Sequence, residues 1–396
     1  MSKIAVVGGG SSGIMAAVIA ARAGAQVCVY EKNERLGRKI LSTGNGRCNY
    51  TNKNAGIENY NGKNVAFMKH AVSKFWVEET LQFFDELGIL PVCEDDGKMY
   101  PYSRQASAVC DVLRFETTRL GINLILKTTV KRIEKKGKKF CISDNKGNVN
   151  EFDKVIIATG GLAAPDLGSD GDGYEFARSF GHTVTELTPA LVQLKTNPED
   201  IKGLKGIKVQ AVLKHNEKSF EGEILFTDYG ISGPPVFKAS SCVKKNTEMY
   251  IDFLPEYTEQ ELFEIIKRRA ARGFTLENML IGVVNRLVGI NILKYSGLSP
   301  LSRTEDSLTD EEIYALVKGL KNRKIYVTGK QSWKNAQVTA GGINTDEINS
   351  KTMESRLVKG LYFTGEIVDI DGECGGYNLQ WAWSSGYMAG TAASRK

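Results

Sequence analysis

The residues with the most recognisable chemistry are at positions 8–13, where Gly-Gly-Gly-Ser-Ser-Gly contains the spacing G-x-G-x-x-G. In such a turn Gly8 allows a tight bend, Gly10 lets the backbone approach a pyrophosphate, and Gly13 lets a helix pack closely on a strand. The N–H groups that begin the helix then attract the phosphates. The spacing alone is a weak signal, so its flanking elements decide its meaning.

The elements around this turn favour a dinucleotide-binding unit. Lys3–Val7 is an apolar strand, residues 14–23 form a helix of small residues, and Gln26–Tyr30 is a second strand that ends just before Glu31. An acid about twenty residues after the turn suits the hydroxyl pair of a ribose. The order strand, turn, helix, strand and acid therefore predicts a Rossmann-type domain at the beginning of the chain.

The loop at residues 32–49 follows directly and carries five cations between Lys32 and Arg47. It is too rich in Gly, Asn and Ser for a regular element, and its glycines allow backbone N–H groups to converge on an anion. Because it follows the dinucleotide motif, we expect it to lie along the cofactor. The candidate residues in it are Arg38, Lys39, Gly44, Asn45, Gly46, Arg47 and Cys48.

Two later blocks extend this expected site. An apolar strand that begins at Lys154 ends in Gly160-Gly161, a turn of the kind found where a doubly wound sheet meets its ligand. Near the end of the chain, a strand is followed by a glycine-rich acidic loop and by a helix that begins near Tyr377. A carboxylate after a strand can bind the ribityl hydroxyls of a flavin. A helix N-terminus can stabilise the negative charge on a reduced flavin ring. Both ends of the chain are thus predicted to form one site.

The middle of the chain differs from its ends. Short strands separated by turn residues between residues 188 and 255 predict a small all-β module. Residues 257–319 are predicted to be helical, with capping boxes at Thr258/Glu261 and Thr309/Glu312. Residues 67–88 show the apolar period of one amphipathic helix. The predicted domains are 1–188 with 335–396, 189–255 with 320–334, and 256–319.

The bulk composition narrows the class of protein. A chain of 396 residues exceeds what one core usually holds, and its net charge of +6 fits an anionic cofactor or a solvated surface. Seven cysteines, odd in number and without a C-x-x-C pair, favour a reducing compartment and argue against disulfides or a metal site. The chain opens on its first strand and holds no run of the roughly 20 apolar residues that a membrane helix needs. We therefore expect a cytoplasmic protein.

Six blocks of the sequence together resemble the BaiN-like family of FAD-dependent oxidoreductases, which includes aminoacetone-oxidase-type flavoproteins. The blocks are GGGSSG, EKNERLGRKILSTGNGRCNYTN, VIIATGG, GEILFTDYGISGPPVF, WKNAQVTAGGI and GLYFTGEIVDIDGECGGYNLQWAWSSG. They span the chain from end to end, although it departs from the pattern at Asp228, where many relatives have His. The resemblance implies an α/β fold with a Rossmann-type FAD domain built from both chain ends, an inserted β-barrel-like domain and a small helical insert.

The resemblance also implies a place for each site residue. The adenine end of FAD is expected to meet Ser12, Glu31, Lys32 and the backbone at Val130, while Arg38, Lys39 and the 44–48 loop line the phosphates or the flavin. Glu366, Asp371 and residues 376–379 are expected to face the ribityl chain and the pyrimidine side of the ring. With the glycines that follow two strands, the rest of the expected cofactor-binding set is Gly160, Gly161, Gly365, Glu366, Asp371, Gly376, Tyr377, Asn378 and Leu379.

The activity that the resemblance implies is transfer of hydride from NAD(P)H through flavin N5 to an activated C=C bond of a small hydrophobic, enone-like substrate. With one dinucleotide motif in the chain, NAD(P)H is expected to bind transiently near the flavin. An oxygen-dependent oxidase of small amines that releases hydrogen peroxide is the alternative. An RNA-associated flavoprotein is more remote, because no basic stripe interleaved with aromatic residues is present.

The expected partner is therefore a small molecule, with neither nucleic acid nor membrane. No pattern in the sequence assigns the catalytic acid. The residues considered for it are Tyr377, Asp228, Tyr229, His70, His182 and His215.

Overall fold

The computed structural model describes residues 2–273 and 275–395, which group into two compact units. The first unit holds the residues up to Pro189 together with those from Ala336 onward, and the second is Ala190–Asn335. In the second unit, the barrel strands and the helices that follow them share one apolar core. The separation of this region into a barrel domain and a helical domain stays a prediction.

A five-stranded parallel sheet forms the centre of the first unit. In spatial order its strands are Leu361–Phe363, Lys154–Ile157, Lys3–Val7, Gln26–Tyr30 and Asn123–Ile125. Most of their residues are buried, as expected for parallel strands that are covered on both faces. The sheet contains strands from both ends of the chain. The predicted Rossmann-type domain is therefore confirmed.

Helices and smaller sheets surround this sheet. The helices are Ser11–Arg22, Lys69–Val72, Val77–Glu86, Ala106–Arg119, Asp172–Ser179 and Tyr377–Ser394. The smaller sheets pair Val130–Lys136, Lys139–Asp144 and Val149–Phe152; Thr51–Asn52, Lys98–Pro101 and Pro91–Cys93; Tyr60–Asn61 and Asp371–Gly372; and Thr188–Ala190 and Val338–Ala340.

The first helix (Ser11–Arg22) packs against the last helix (Tyr377–Ser394) through glycines. A Cβ at Gly386 would lie 2.5 Å from the Ser12 carbonyl oxygen, and one at Gly390 would lie 2.5 Å from that of Ala16. Only glycine lets the two backbones come this close without a shift. The small residues of the last helix therefore hold its N-terminus at a fixed place relative to the glycine turn.

The single helix predicted for residues 67–88 is wrong. Val65–Met68 is a short 3₁₀ turn that continues into Lys69–Val72, and a separate helix covers Val77–Glu86. The second helix begins where the Glu79 side chain accepts a hydrogen bond from Trp76 N–H at 2.8 Å. This cap starts the second helix after the first has ended at Val72, and the apolar period continues across the gap, so periodicity alone could not show the break.

The second unit contains a closed six-stranded barrel. Its strands, in order around the barrel, are Leu194–Thr196, Gly230–Ser232, Lys218–Phe226, Lys208–His215, Thr247–Asp252 and Arg323–Lys330. The helices of the unit are Pro234–Ser240, Glu259–Ala270, Leu276–Met279, Arg286–Tyr295 and Asp310–Lys321. The two capping boxes expected at Thr258 and Thr309 are both formed. In the part of the chain that the structure describes, no helix combines the length and the apolar character needed to cross a bilayer.

Candidate cofactor site

The glycine turn at residues 8–13 links the first strand to the first helix at the carboxyl edge of the sheet. A Cβ at Gly8, whose φ is +107°, would lie 2.4 Å from the Ala158 carbonyl oxygen, and one at Gly13 would lie 2.0 Å from the Gly8 carbonyl oxygen. At Gly10 no other atom lies within 4 Å of a Cβ position. The first and last glycines of the motif are thus needed for packing, while the middle one leaves open the space that a phosphate group requires.

Glu31 is almost fully buried at the end of the second strand and is tied to the glycine turn. Its Oε2 accepts a hydrogen bond from Gly9 N–H at 2.8 Å, and its Oε1 accepts two from Asn33, at 2.7 and 2.8 Å. A carboxylate has about four acceptor positions, so Oε2 can still accept a hydroxyl proton. The arrangement fits the ribose of a dinucleotide.

Three other residues expected at the adenine end have their own contacts. The Lys32 ammonium pairs with Asp170 at 2.5 Å and Asp172 at 3.0 Å; burial works to lower its pKa, but these two carboxylates raise it overall. Ser12 Oγ donates to the Thr364 carbonyl at 3.2 Å, so this side chain faces the C-terminal block. Val130 is buried at the beginning of its strand, two residues beyond Thr128, whose N–H donates to the Glu31 carbonyl at 3.0 Å.

The loop at residues 38–48 meets the C-terminal block through one ion pair. Lys39 Nζ donates to Glu366 Oε2 at 2.8 Å, and Glu366 Oε1 accepts the Thr339 N–H at 2.9 Å. Both side chains of the pair are mostly buried. The structure therefore brings together two predicted site residues that are 327 positions apart in the chain.

Left-handed backbone shapes the tip of the same loop. The φ angles of Gly44, Asn45, Gly46 and Cys48 lie between +55° and +81°, and no other atom lies within 4 Å of a Cβ position at Gly46. Such a run can turn several N–H groups toward one anion. The exposed Arg38 side chain donates to Asn33 Oδ1 at 2.8 Å.

Arg47 and Cys48 differ in what they can do at this tip. The Arg47 guanidinium lies 4.6 Å from the centre of the Tyr100 ring and donates to Glu94 Oε1 at 3.0 Å. Cys48 is fully buried, and burial raises the pKa of its thiol to about 12. A thiol with so high a pKa carries little thiolate near neutral pH, and the thiolate is the nucleophilic form. None of the seven cysteines, all within the described residues, forms a disulfide.

The C-terminal block supplies a helix N-terminus to the site. Gly376, with a φ of +96°, precedes the 18-residue last helix, which has no acidic residue in its first turn and no side-chain cap. Asn378 holds the preceding loop, since its side chain accepts the Gly372 N–H at 2.8 Å and donates to the Gly372 carbonyl at 2.7 Å. The N–H groups of the first turn thus stay available for a ligand with negative or carbonyl oxygen atoms.

The remaining expected residues belong to the two strand ends and to the C-terminal block. A Cβ at Gly161 would lie 2.3 Å from Thr339 Oγ1, and one at Gly365 would lie 2.4 Å from Ser12 Oγ. The Gly365 N–H donates to Ser385 Oγ at 2.9 Å. Gly160 has a φ of +75°. Asp371 is buried and accepts a hydrogen bond from Asn61 Nδ2 at 3.4 Å. Tyr377 is buried and Leu379 is partly buried. Burial is also the main cause that raises the pKa of Tyr377.

Three of the other candidates for a catalytic acid have contacts of their own. His182 is buried between Glu347, at 3.1 Å, and Ser355, at 2.7 Å. Although this resembles a hydrolase triad, Ser355 Oγ already accepts the N–H groups of Leu357 and Val358, so it is a structural hydroxyl. In the second unit Asp228 is exposed and pairs with Lys205, and His215 Nδ1 contacts the Glu248 carbonyl. The described residues contain no group of ligands suited to a metal ion.

The fold and this site define a Rossmann-type nucleotide-binding protein. Residues 2–392 match the HI0933-like protein Rossmann domain family, and the chain belongs to that family. The resemblance to BaiN-like flavoprotein oxidoreductases is confirmed.

Two curated relatives and one solved structure illustrate the similarity. The chain is 37% identical to a 3-dehydro-bile acid delta(4,6)-reductase of Clostridium scindens over the whole of both chains. It is 32% identical to a ribosomal RNA dihydrouridine synthase of Escherichia coli, over 96% of this chain and 95% of the relative. A 3-ketosteroid delta1-dehydrogenase from Sterolibacterium denitrificans, 14% identical with a TM-score of 0.51 over the whole of both chains, shares the fold.

Proposed function

We propose that the protein is an FAD-dependent reductase that saturates a carbon–carbon double bond conjugated to a carbonyl group, with NAD(P)H as the source of electrons. The reaction adds one hydride equivalent from NAD(P)H and one proton to the double bond. FAD supplies the hydride-transfer chemistry when it is bound. The contribution of the chain is to bind this cofactor, orient it and exclude water from it.

One observation carries this proposal: two relatives with very different substrates are named for the same chemical change. One is a delta(4,6)-reductase of a 3-dehydro bile acid, and the other makes dihydrouridine in ribosomal RNA. Both names describe the addition of hydrogen to carbon–carbon double bonds conjugated to a carbonyl, two hydrogens for each double bond that is reduced. The class of reaction is therefore better supported than either substrate.

The cofactor part of the proposal rests on residues of the first unit. Glu31 and the glycine turn are suited to the ADP half of FAD, because they offer a ribose acceptor and open space for a phosphate group. The ion pair of Lys39 with Glu366 and the N-terminus of the last helix are suited to the ribityl and flavin half.

We propose a small hydrophobic enone as the substrate, in line with the bile-acid relative. The test is an anaerobic stopped-flow experiment on purified protein that contains FAD. NADH or NADPH is expected to bleach the flavin absorbance, and a 3-oxo-4,6-diene steroid acid is expected to restore it. Free FAD at the same concentration is the control. A flavin that neither nucleotide bleaches would contradict the proposed source of electrons, and peroxide released from aminoacetone would point to an oxidase instead.

A uracil ring in RNA is the second candidate substrate. It is favoured by the dihydrouridine synthase relative and by the charge of the barrel segments, residues 190–255 and 320–335. These segments hold 14 Lys and Arg against 8 Asp and Glu, so they carry an excess of six positive charges. An excess of this kind attracts a phosphate backbone, although it also suits a solvated surface.

Binding of ribosomal RNA at several salt concentrations distinguishes the two substrates. An RNA enzyme is expected to bind the RNA at low salt. Replacing the exposed Lys244 and Lys245 with alanine is expected to lower the number of counterions released on binding, measured from the dependence of the binding constant on salt, by about two. Lys294→Ala, an exposed change on a helix of the same unit, is the matched control. RNA that neither binds at low salt nor gains dihydrouridine on incubation with NADPH would exclude this candidate.

A further inference from the structure

Asn49 lies between the loop at residues 38–48 and the start of the last helix. A Cβ at Gly44 would lie 2.9 Å from Asn49 N, and a Cβ at Gly376 would lie 2.8 Å from Asn49 Oδ1. Its backbone N is thus placed against Gly44 and its side-chain oxygen against Gly376, both residues expected at the cofactor. Asn49 ends the loop that is expected to lie along the cofactor, but no individual role was predicted for it.

The next three residues are all tied to the last helix or to the loop before it. The Tyr50 carbonyl accepts from Trp383 Nε1 at 2.9 Å, and Thr51 Oγ1 donates to Gln380 Oε1 at 2.5 Å. Asn52 Nδ2 donates to the Gly375 carbonyl at 2.8 Å. These contacts hold the segment rigidly at the N-terminus of the helix, so Asn49 cannot easily turn away from it.

Asn49 Oδ1 differs from these groups because it is buried and has no hydrogen-bond partner in the described part of the chain. The residue is 8% exposed. A buried acceptor without a partner destabilises the folded protein, so native structures nearly always satisfy such an atom. An oxygen of this kind, beside a helix N-terminus whose N–H groups are not capped, indicates a bound ligand that donates one N–H and accepts others.

The pyrimidine edge of a flavin has this pattern, with one ring N–H between two carbonyl groups. We propose that Asn49 Oδ1 accepts the hydrogen bond of that ring N–H, while the first-turn N–H groups of the last helix donate to the neighbouring carbonyl oxygen. The inference rests on the proposed function, because it takes FAD as the cofactor. It makes Asn49 a residue that selects the flavin half of FAD and has no role for the ADP half.

The test measures the affinity of apoprotein for FAD and for ADP in the same variants. Asn49→Ala is expected to weaken FAD binding about tenfold, as the loss of one buried hydrogen bond predicts, and to leave ADP binding unchanged. Thr80→Val is the matched control, since Thr80 Oγ1 is also buried without a partner but lies on the helix Val77–Glu86. It is expected to change neither affinity.

A second variant covers the case in which Asn49→Ala does not fold. Asn49→Asp keeps an acceptor oxygen and adds a negative charge, so it is expected to retain FAD and to shift the midpoint potential of the flavin to a more negative value. The carboxylate would oppose the negative charge that reduction adds to the ring.

The outcomes separate this inference from the proposed function. FAD affinity that is unchanged in Asn49→Ala, an equal loss of FAD and ADP binding, or an unshifted potential in Asn49→Asp would overturn the inference while FAD still binds the wild type. Wild-type protein that binds neither FAD nor ADP would overturn the proposed function, and the inference would fall with it.

Discussion

The two halves of the candidate site are built in opposite ways. Most of the adenine half comes from one stretch of chain, because the glycine turn, the first helix and Glu31 all lie within the first 31 residues. Val130 is the one residue expected there that is distant in sequence. The flavin half is assembled from residues 38–52 and the block after Leu361–Phe363, which are joined by long-range contacts such as that of Lys39 with Glu366. Local geometry thus defines one half, and packing of distant segments defines the other.

This difference predicts two kinds of failure. A change in the adenine half is expected to disturb backbone packing that the whole sheet needs, so stability and cofactor are lost together. A change in the flavin half is expected to remove one contact between distant segments, such as the ion pair of Lys39 with Glu366. Cofactor binding is then weakened while the sheet stays folded. The predictions below are arranged from the largest expected effect to the smallest.

Gly8→Ala is expected to have the largest effect. The new Cβ would meet the Ala158 carbonyl oxygen at 2.4 Å, and φ at this residue is +107°. We expect a loss of more than about 3 kcal/mol in unfolding free energy, together with loss of bound FAD. Denaturant unfolding and the flavin spectrum measure the two effects.

Gly24→Ala is the control for this variant. Gly24 also has a positive φ, +85°, but no other atom lies within 4 Å of its Cβ position. It is expected to cost only about 1 kcal/mol, the backbone strain alone, and to keep FAD. Equal losses in the two variants would show that strain, and not contact with the neighbouring strand, makes Gly8 necessary.

Glu366→Gln tests the ion pair of the flavin half. It keeps an acceptor for the Thr339 N–H but removes the negative charge that pairs with Lys39 at 2.8 Å. We expect FAD binding to weaken by about 1–2 kcal/mol and the melting temperature to change little.

A double-mutant cycle with Lys39→Ala assigns this effect to the pair. The double variant is expected to lose less than the sum of the two single variants, because each of them leaves its partner without a counter-charge. Additive losses would contradict the idea that these residues act together as a pair.

Acid is expected to weaken the C-terminal segment through His182. Burial lowers the pKa of this histidine, although Glu347 opposes the shift. The folded state therefore binds a proton less readily than the unfolded state, so stability is complete above the ordinary histidine pKa of about 6.5 and falls as the pH decreases through the folded value. Protonation would also place an N–H against the Ser355 hydroxyl, whose oxygen already accepts from two backbone groups.

Urea unfolding at pH 7.5 and pH 5.5 measures this dependence. His182→Gln is expected to be less stable than the wild type at pH 7.5 but to lose less stability between the two pH values. An equal loss in wild type and variant would assign the acid sensitivity to other groups.

Lys32→Ala is expected to have the smallest effect, although the resemblance places Lys32 at the adenine. Its ammonium is already paired with Asp170 and Asp172, whose side chains are 46% and 37% exposed, and ion pairs with solvent-exposed carboxylates contribute little. We expect FAD affinity to change by less than about threefold. A tenfold loss in an affinity titration would instead support the adenine role.

The same contrast explains what the sequence could predict. The strand, turn, helix and acid of the adenine half follow from local spacing, and the structure has these elements at their expected places. The flavin half follows from the sequence only in outline. A carboxylate after a strand and a helix start near Tyr377 predict that both chain ends form one site, but no local pattern predicts the contact of Lys39 with Glu366. Asn49 was missed for a similar reason: its importance lies in a missing partner and in a neighbour, Gly376, that is distant in sequence.

The barrel shows the same limit. Turn residues alone predict a small all-β module, while the barrel-like domain of residues 189–255 and 320–334 comes from the resemblance. Local spacing does not show the closing pair, because Leu194–Thr196 and Arg323–Lys330 are more than a hundred residues apart. Hydrophobic periodicity does not show the break between Val72 and Val77. The second helix is started by the hydrogen bond from Trp76 N–H to the Glu79 side chain, which leaves the apolar period intact.

The most direct test of the central claim is the identity and amount of the cofactor released from purified protein by heat. An adenine half fixed by the glycine turn and Glu31, joined to a flavin half fixed by the last helix, predicts FAD in an amount equal to the protein chain, measured by absorbance and mass spectrometry of the supernatant. Release of FMN in place of FAD, or apoprotein that takes up neither flavin, would contradict the account.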